Sequence, residues 1–309
     1  MPSIPTNSES DIPDLTGKVI FVTGGTSGLG AQSVKTLAQH NPAHIYFSGR
    51  NATKAESLIQ HLQENDRTKA TTITFIPCDL SSLSSVQSAA DKILAQESHL
   101  DILICNAGTM AVPAATTADG YEIQFATNHI GHALLIRRLI PLLTSAGSSE
   151  PTGRIVILSS MGYKMHPFAG INFPTLSTPQ NCWGGPVGPW VRYGQSKLAN
   201  VVYARELARR YPGLMTVSVH PGVVRTGLVD DLSWGKAAFI YLTTLGNMVT
   251  VEKGVRNQVW AATAPAQEMV NGGFYVPVGK LEEVDSKARD KELAGTLWEW
   301  TEEVIREYL

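Results

Sequence analysis

From residue 18 onward, short apolar runs rich in β-branched and aromatic residues alternate with longer stretches whose apolar positions recur at helical spacing. The short runs are KVIFVTG (18–24), HIYFSGR (44–50), TTITFIPCDL (71–80), LDILICNAG (100–108), GRIVILSS (153–160), LMTVSVHPG (214–222) and GGFYVPVG (272–279). Helical spacing is expected over 28–40, 51–65, about 83–97 and about 120–143, through the segment holding Tyr193 and Lys197, and over 288–309. Asn51-Ala52-Thr53 has the form of a glycosylation acceptor, but in front of a helical stretch it reads as a helix start. Strand, helix and strand repeating in this order predict an α/β architecture, doubly wound, with about seven parallel strands and helices on both faces. Residues 17–309 are expected to form one domain behind a flexible arm, 1–16, with a loop over 161–192 and a flap over 232–247.

A chain of 309 residues with 43% hydrophobic and 17% charged residues has enough apolar material for a full core. Its formal charge of -2 and its lack of any Lys/Arg-rich run speak against a nucleic-acid partner or an anionic membrane patch, and favour a small-molecule partner. Cys78, Cys105 and Cys182 are an odd set without a CxxC pair, which points away from a disulfide framework or zinc cluster and toward a reducing compartment. The first sixteen residues have no apolar signal core, so a cytoplasmic location is expected. Ala237–Val249 is too short to span a bilayer, although an interfacial role stays open. His129, His132 and His166 lack companions at metal-ligand spacing, so no metal is expected.

The chemistry-bearing residues cluster at the C-terminal ends of the apolar runs, where open α/β sheets place their ligand crevice. The first run ends in Thr23-Gly24-Gly25-Thr26-Ser27-Gly28-Leu29-Gly30, a glycine turn feeding a helix, which suits a dinucleotide pyrophosphate through close backbone approach and free helix N–H groups. The second ends in Ser48-Gly49-Arg50-Asn51 with no acid, and Arg50 offers a fork of donors to a ribose 2′-phosphate, so NADP(H) is expected over NAD(H). The competing reading makes Arg50 a solvated strand-end charge. Tyr193 and Lys197 are four residues apart and share one helix face, so an ammonium there can lower the pKa of a phenol acting as acid and base. Ser160, at the end of the fifth run, is the candidate to hold the substrate oxygen. Any one of these motifs alone also fits an ordinary packed residue; their ordered co-occurrence does not.

The spacing TGxxxGxG, followed by Asn106-Ala107-Gly108, Ser159-Ser160 and YxxxK, resembles the short-chain dehydrogenase/reductase family over roughly residues 15–280. The resemblance implies a Rossmann-type domain and a nicotinamide-dependent oxidoreductase interconverting a carbonyl and an alcohol. On the matching positions, Gly24, Thr26, Ser27, Gly28, Leu29 and Gly30 form the cofactor turn, Arg50 and Asn51 flank the adenosine ribose, and Asp79 and Leu80 border the adenine. Asn106, Ala107 and Gly108 would line the cleft, Lys197 and Tyr193 would reach the nicotinamide ribose, and Pro221, Gly222, Val223 and Thr226 would lie beside the nicotinamide. Asn128 would support a proton-relay water. Cys105 departs from the Asn common in that place, which removes one polar group from the cleft.

The long link from Met161 to Arg192 and the later Thr250-Val251-Glu252-Lys253-Gly254 look like the retinol-dehydrogenase and WW-domain-oxidoreductase-like branch. Met161, Met165, Phe168, Phe173, Trp183 and Trp190 on that link either build a pocket for a lipophilic or aromatic substrate or merely pack the loop onto the domain. Two other readings of the whole stay open at this point: a redox sensor that binds the dinucleotide without turnover, and a non-redox tailoring enzyme on the same fold. The 288–309 segment is expected to pack on its own domain or on a second copy in a homodimer.

Overall fold

The computed structural model describes residues 11–146, 153–181, 183–224 and 248–309; residues 1–10, Cys182, Thr226 and the 232–247 flap lie outside the described residues. Strands β1 (Val19–Val22), β2 (His44–Gly49), β3 (Thr72–Pro77) and β4 (Ile102–Cys105) alternate with helices α1 (Gly28–Ala38), α2 (Ala52–Gln63) and α3 (Leu83–Leu94), as the hydrophobic pattern predicts. Asn51 is the N-cap of α2, its side chain accepting the Lys54 N–H at 2.9 Å, so the Asn-Ala-Thr triplet is a helix start.

The single helix expected over 120–143 is instead three pieces: a short α4 (Ile123–Phe125), a π turn (Ala126–Ile130) and α5 (Gly131–Thr144). A π turn takes one residue more than an α-helical turn, a local change inside a run that stays apolar and helical on both sides, so the sequence pattern does not separate the pieces. Then follow β5 (Arg154–Leu158), two 3-10 turns in the 161–192 link, the long α6 (Gly188–Arg210), β6 (Met215–Val219), α7 (Val251–Thr263), β7 (Phe274–Val276), β8 (Lys280–Leu281) and α8 (Lys291–Ile305).

The strands form one sheet in the order β3-β2-β1-β4-β5-β6-β7-β8. Registers such as Phe21↔Tyr46, Phe21↔Leu103, Leu103↔Ile155 and Ile155↔Thr216 keep the central strands level, so their C-terminal ends form a common rim. Strand order reverses between β1 and β4, and such a switch point is where open α/β sheets place their ligand crevice. The sheet has eight strands where about seven parallel ones were expected. The extra strand, β8, is two exposed residues folding back antiparallel on β7 through Tyr275↔Leu281 and Val276↔Lys280, too short to show any period.

Both faces of the sheet carry apolar layers. Val34, Leu37, Ala55, Leu58 and Val259 bring α1, α2 and α7 onto one face. Val86, Ile93, Leu135, Leu139 and Val201 bring α3, α5 and α6 onto the other. Helix α8 covers the outside of α6, with Leu297, Thr301 and Ile305 fully buried and Trp298 stacked on Tyr203 at 5.4 Å between ring centroids. The 288–309 segment therefore packs on its own domain. At the other end of the chain Leu15 is buried and its N–H donates to the His40 carbonyl at 2.7 Å, which makes the last residues of the expected arm part of the domain.

Candidate active site

Thr23 follows β1 directly and is fully buried at the switch point. Its hydroxyl accepts the N–H groups of Asn106 at 2.9 Å and Ala107 at 3.0 Å, which pins the end of β4 to the end of β1. Asn106 returns the contact through Nδ2, donating to the Thr23 carbonyl at 2.9 Å. The glycines of the turn have a cause internal to the protein: a Cβ on Gly30 would lie 2.2 Å from the Gly24 carbonyl oxygen and 2.6 Å from Asn106 Nδ2. Only Gly at 30 lets α1 begin beneath the turn. Ser27 makes no side-chain cap and the first turn of α1 holds no acidic residue, so the helix N-terminus keeps N–H groups available to an anion. That arrangement fits a dinucleotide pyrophosphate.

Arg50 stands exposed at the end of β2 and has no hydrogen bond or ion pair among the described residues. Thr26 lies against the adjoining Gly49, where a Cβ would come within 2.7 Å of Thr26 Cγ2, so the glycine turn reaches the strand end that carries Arg50. Asn51 spends its side-chain oxygen on the α2 cap. Asp79 accepts from the N–H and hydroxyl of Ser81 at 2.9 and 2.7 Å, and Leu80 is buried where its carbonyl meets Gly131 at the start of α5. Pro221, Gly222 and Val223 follow β6 at the same rim, with Thr226 beyond the described residues. Cys105 is a core residue whose thiol burial pushes well above the usual range, as befits an apolar substitute for a polar group.

The candidate reacting groups converge from β4, β5 and α6. Tyr193 and Lys197 are buried on α6, with Lys197 Nζ 5.8 Å from the centroid of the Tyr193 ring. Ser160 follows β5; its hydroxyl accepts the Gly162 N–H at 3.0 Å, and a Cβ on Gly162 would lie 3.2 Å from that hydroxyl and 3.1 Å from Tyr193 Cε1, so the two side chains adjoin. Lys197 Nζ donates to the Leu158 carbonyl at 3.0 Å, and Ser159 Oγ donates to the Lys197 carbonyl at 2.8 Å. Asn128, in the π turn, clamps the residue after Gly108, accepting the Thr109 N–H at 2.7 Å and donating to its carbonyl at 3.0 Å. A Cβ on Gly108 would lie 2.9 Å from Asn128 Oδ1 and 3.5 Å from Lys197 Nζ, so the glycine admits both side chains to the cleft.

Burial controls the charges. It pushes the Tyr193 phenol up to about 12, while the neighbouring Ser160 hydroxyl pulls it down. Burial also pushes Lys197 down to about 8. The arrangement can hold an oxygen atom between two hydroxyls and exchange a proton with it. Of the histidines, His129 bonds Thr301 Oγ1 at 3.0 Å, and His166 faces Asp285 at 3.4 Å; among the described residues no three His, Cys, Asp or Glu side chains could hold a metal ion.

The family model for short chain dehydrogenases matches residues 18–174. The chain is 34% identical over 309 residues to the short-chain dehydrogenase/reductase drtF of Aspergillus calidoustus, covering 96% of each chain. It is likewise 34% identical over 310 residues to human retinol dehydrogenase 14, covering 94% of this chain and 86% of that one. Among solved structures it is similar to a blue fluorescent protein from a metagenomic library in complex with NADPH, at TM-score 0.63 and 26% identity, over 86% of this chain and 98% of the other. The chain belongs to the short-chain dehydrogenase/reductase family, in its retinol-dehydrogenase-like branch. As a short-chain dehydrogenase/reductase it is an oxidoreductase built on a Rossmann-type sheet.

Three residues of this dehydrogenase's site were not singled out from the sequence. Asn200 shares the Leu158 carbonyl with Lys197, donating at 2.9 Å, and its position three residues after Lys197 on the same helix face was the available signal. Thr23 was read only as the first letter of the glycine turn. Gln258, on α7, donates to Ser33 Oγ at 2.5 Å and Asn106 Oδ1 at 3.2 Å, tying α1 to the end of β4; no local pattern announces it.

The charge balance makes a pH prediction. Lys197 carries its charge below about 8 and loses it above, while the Tyr193 phenol keeps its proton up to about 12. In the direction that consumes a proton, kcat/KM should be level below the Lys197 value and fall as the pH rises through it. Lys197→Arg, charged throughout, should lose that inflection. A profile with the same inflection in both proteins assigns the titration to another group.

Proposed function

We propose that this dehydrogenase uses NADP(H) to interconvert a carbonyl and an alcohol on an apolar small molecule, with Tyr193 as the acid and base. The observation that carries this reading is the adjacent Ser160 and Tyr193 side chains beside a buried ammonium, at the strand-end rim of the switch point. Bound there, the nicotinamide cofactor supplies or accepts the hydride. The turn from Gly24 to Gly30 with the N-terminus of α1 would hold its pyrophosphate, Arg50 its 2′-phosphate, Asn106 to Gly108 would wall its cleft, and Pro221 to Val223 would flank its nicotinamide.

The side chains divide the work. Ser160 holds the substrate oxygen, and Tyr193 gives a proton to it in reduction or takes one in oxidation. Lys197 steadies the phenolate that proton loss would leave and reaches the ribose. Asn128 has its side chain engaged with Thr109 and Ser196, so its support is that of a clamp, with one lone pair of its side-chain carbonyl left to hold a relay water.

An apolar substrate is supported by the cluster of Ala111 and Trp190 with Met110, Met165, Val223 and Met248, which joins the end of the cofactor cleft to the start of α6. Of the apolar residues on the 161–192 link, Met165 and Trp190 belong to this wall. Phe173 packs toward Trp300 at 5.9 Å, Met161 lies on the core, Trp183 is half-buried and Phe168 is almost fully exposed. A relative named for retinol, an apolar alcohol, is consistent with such a wall.

Following NADPH absorbance against a panel of apolar ketones and aldehydes tests the activity. Tyr193→Phe should retain cofactor binding and lose turnover by roughly two to four orders of magnitude. Turnover near that of the wild type would remove Tyr193 from the reaction. Arg50→Ala should weaken NADPH binding by roughly ten- to a hundredfold and leave NADH binding nearly unchanged, because only one of the two carries the 2′-phosphate. Equal losses for both would make Arg50 structural, and a wild type that prefers NADH would overturn the cofactor choice.

A further inference from the structure

His132 lies on α5, almost wholly buried, between the cofactor turn and the π turn. Its Nδ1 is 3.0 Å from the Asn128 carbonyl oxygen and its Nε2 is 2.9 Å from Thr23 Oγ1. Counting protons settles which nitrogen is protonated. A carbonyl only accepts, so Nδ1 carries a proton. Thr23 Oγ1 already accepts from the Asn106 and Ala107 N–H groups, which occupies its two lone pairs, so its own proton is what it has left to offer. Nε2 at 2.9 Å is a nearer acceptor for that proton than the Ile104 carbonyl at 3.4 Å. The ring is therefore neutral with its proton on Nδ1. Burial, which pushes His132 down to about 4, agrees.

The bonds then run in one direction. The Asn106 N–H donates to Thr23, Thr23 to His132 and His132 to the Asn128 carbonyl; the Asn128 side-chain amide donates to Ser196 Oγ at 2.8 Å, and Ser196 donates to the Tyr193 carbonyl at 2.8 Å. A buried chain of this kind holds its members at fixed separations, because breaking any link leaves a polar group unpaired in the interior.

We propose that His132, in its Nδ1–H form, is a positioning residue that sets the placement of the cofactor turn relative to Asn128 and the Tyr193 backbone. It touches neither substrate nor cofactor. The inference rests on the roles proposed above for Tyr193 and Asn128, but its first test does not depend on turnover.

Ring nitrogen NMR of the labelled protein, with His132→Gln identifying the signal, should show the Nδ1–H form; an Nε2–H form overturns the proposal. Kinetics supply the second test. Gln at 132 keeps a neutral donor and acceptor, whereas Phe fills the ring volume with neither. His132→Phe should lower kcat about tenfold or more with little change in the KM for substrate, and His132→Gln should restore most of it. Should the Phe variant fail to fold, His132→Asn takes its place, since its amide reaches the position of Nδ1 but not that of Nε2. Equal kcat in the Gln variant and in the Phe or Asn variant, whether normal or impaired, overturns the proposal. A wild type inert toward every carbonyl, with the Nδ1–H form intact, would sink the proposed reaction and spare the tautomer.

Discussion

An ammonium group in the interior organises this site. Lys197 gives up its hydration on α6 and receives the Leu158 carbonyl in return, and among the described residues no carboxylate pairs with it. Such a charge is costly to bury unless its surroundings are fixed, and here they are fixed from several directions. Gly108 leaves room for Nζ, Ser159 holds the Lys197 carbonyl, and Asn200 shares the same strand-end oxygen. These constraints place β4, β5 and α6 relative to one another. The proposed proton exchange depends on that placement because Tyr193 lies one helical turn before Lys197.

Helix α6 also carries extra cover. A helix whose inner and outer sides are both buried needs a second layer, and α8 supplies it through Leu297, Trp298 and Thr301. Arg137 and Arg210 lie over the Trp298 ring at 5.6 and 4.3 Å, so the far side of α6 is closed by cation–π contacts and not by solvent. The link from Met161 to Arg192 is fastened to the same helix by Gln195, which accepts the Asn172 N–H at 2.8 Å and donates to Gln180 at 3.1 Å. The link and α6 are thus one packed unit.

Much of this was legible in the sequence because parallel strands and amphipathic helices differ in period, and because strand-end motifs fall where the topology needs them. Tyr193, Lys197, Ser160, Asn128 and Gly108 do meet at one rim. What escaped were features without a period or with tertiary partners only. The π turn at 126–130 is a local change of winding inside a helical run, and β8 is two residues long. Gln258 contacts Asn106 across 152 positions, which no local reading can find. Helical spacing places Lys197 beside Tyr193 but says nothing about burial, which is what raises the phenol.

The central claim is that these strand ends bring a cofactor's hydride and the Tyr193 proton to one carbonyl. Reduction of an apolar ketone or aldehyde with NADPH deuterated at the transferred hydrogen tests it most directly, with the product examined by NMR and mass spectrometry. The account predicts deuterium bonded to the carbinol carbon, a hydroxyl proton drawn from solvent, and almost no labelled product from Tyr193→Phe. Product without deuterium, or labelled product formed by Tyr193→Phe at the wild-type rate, would contradict it.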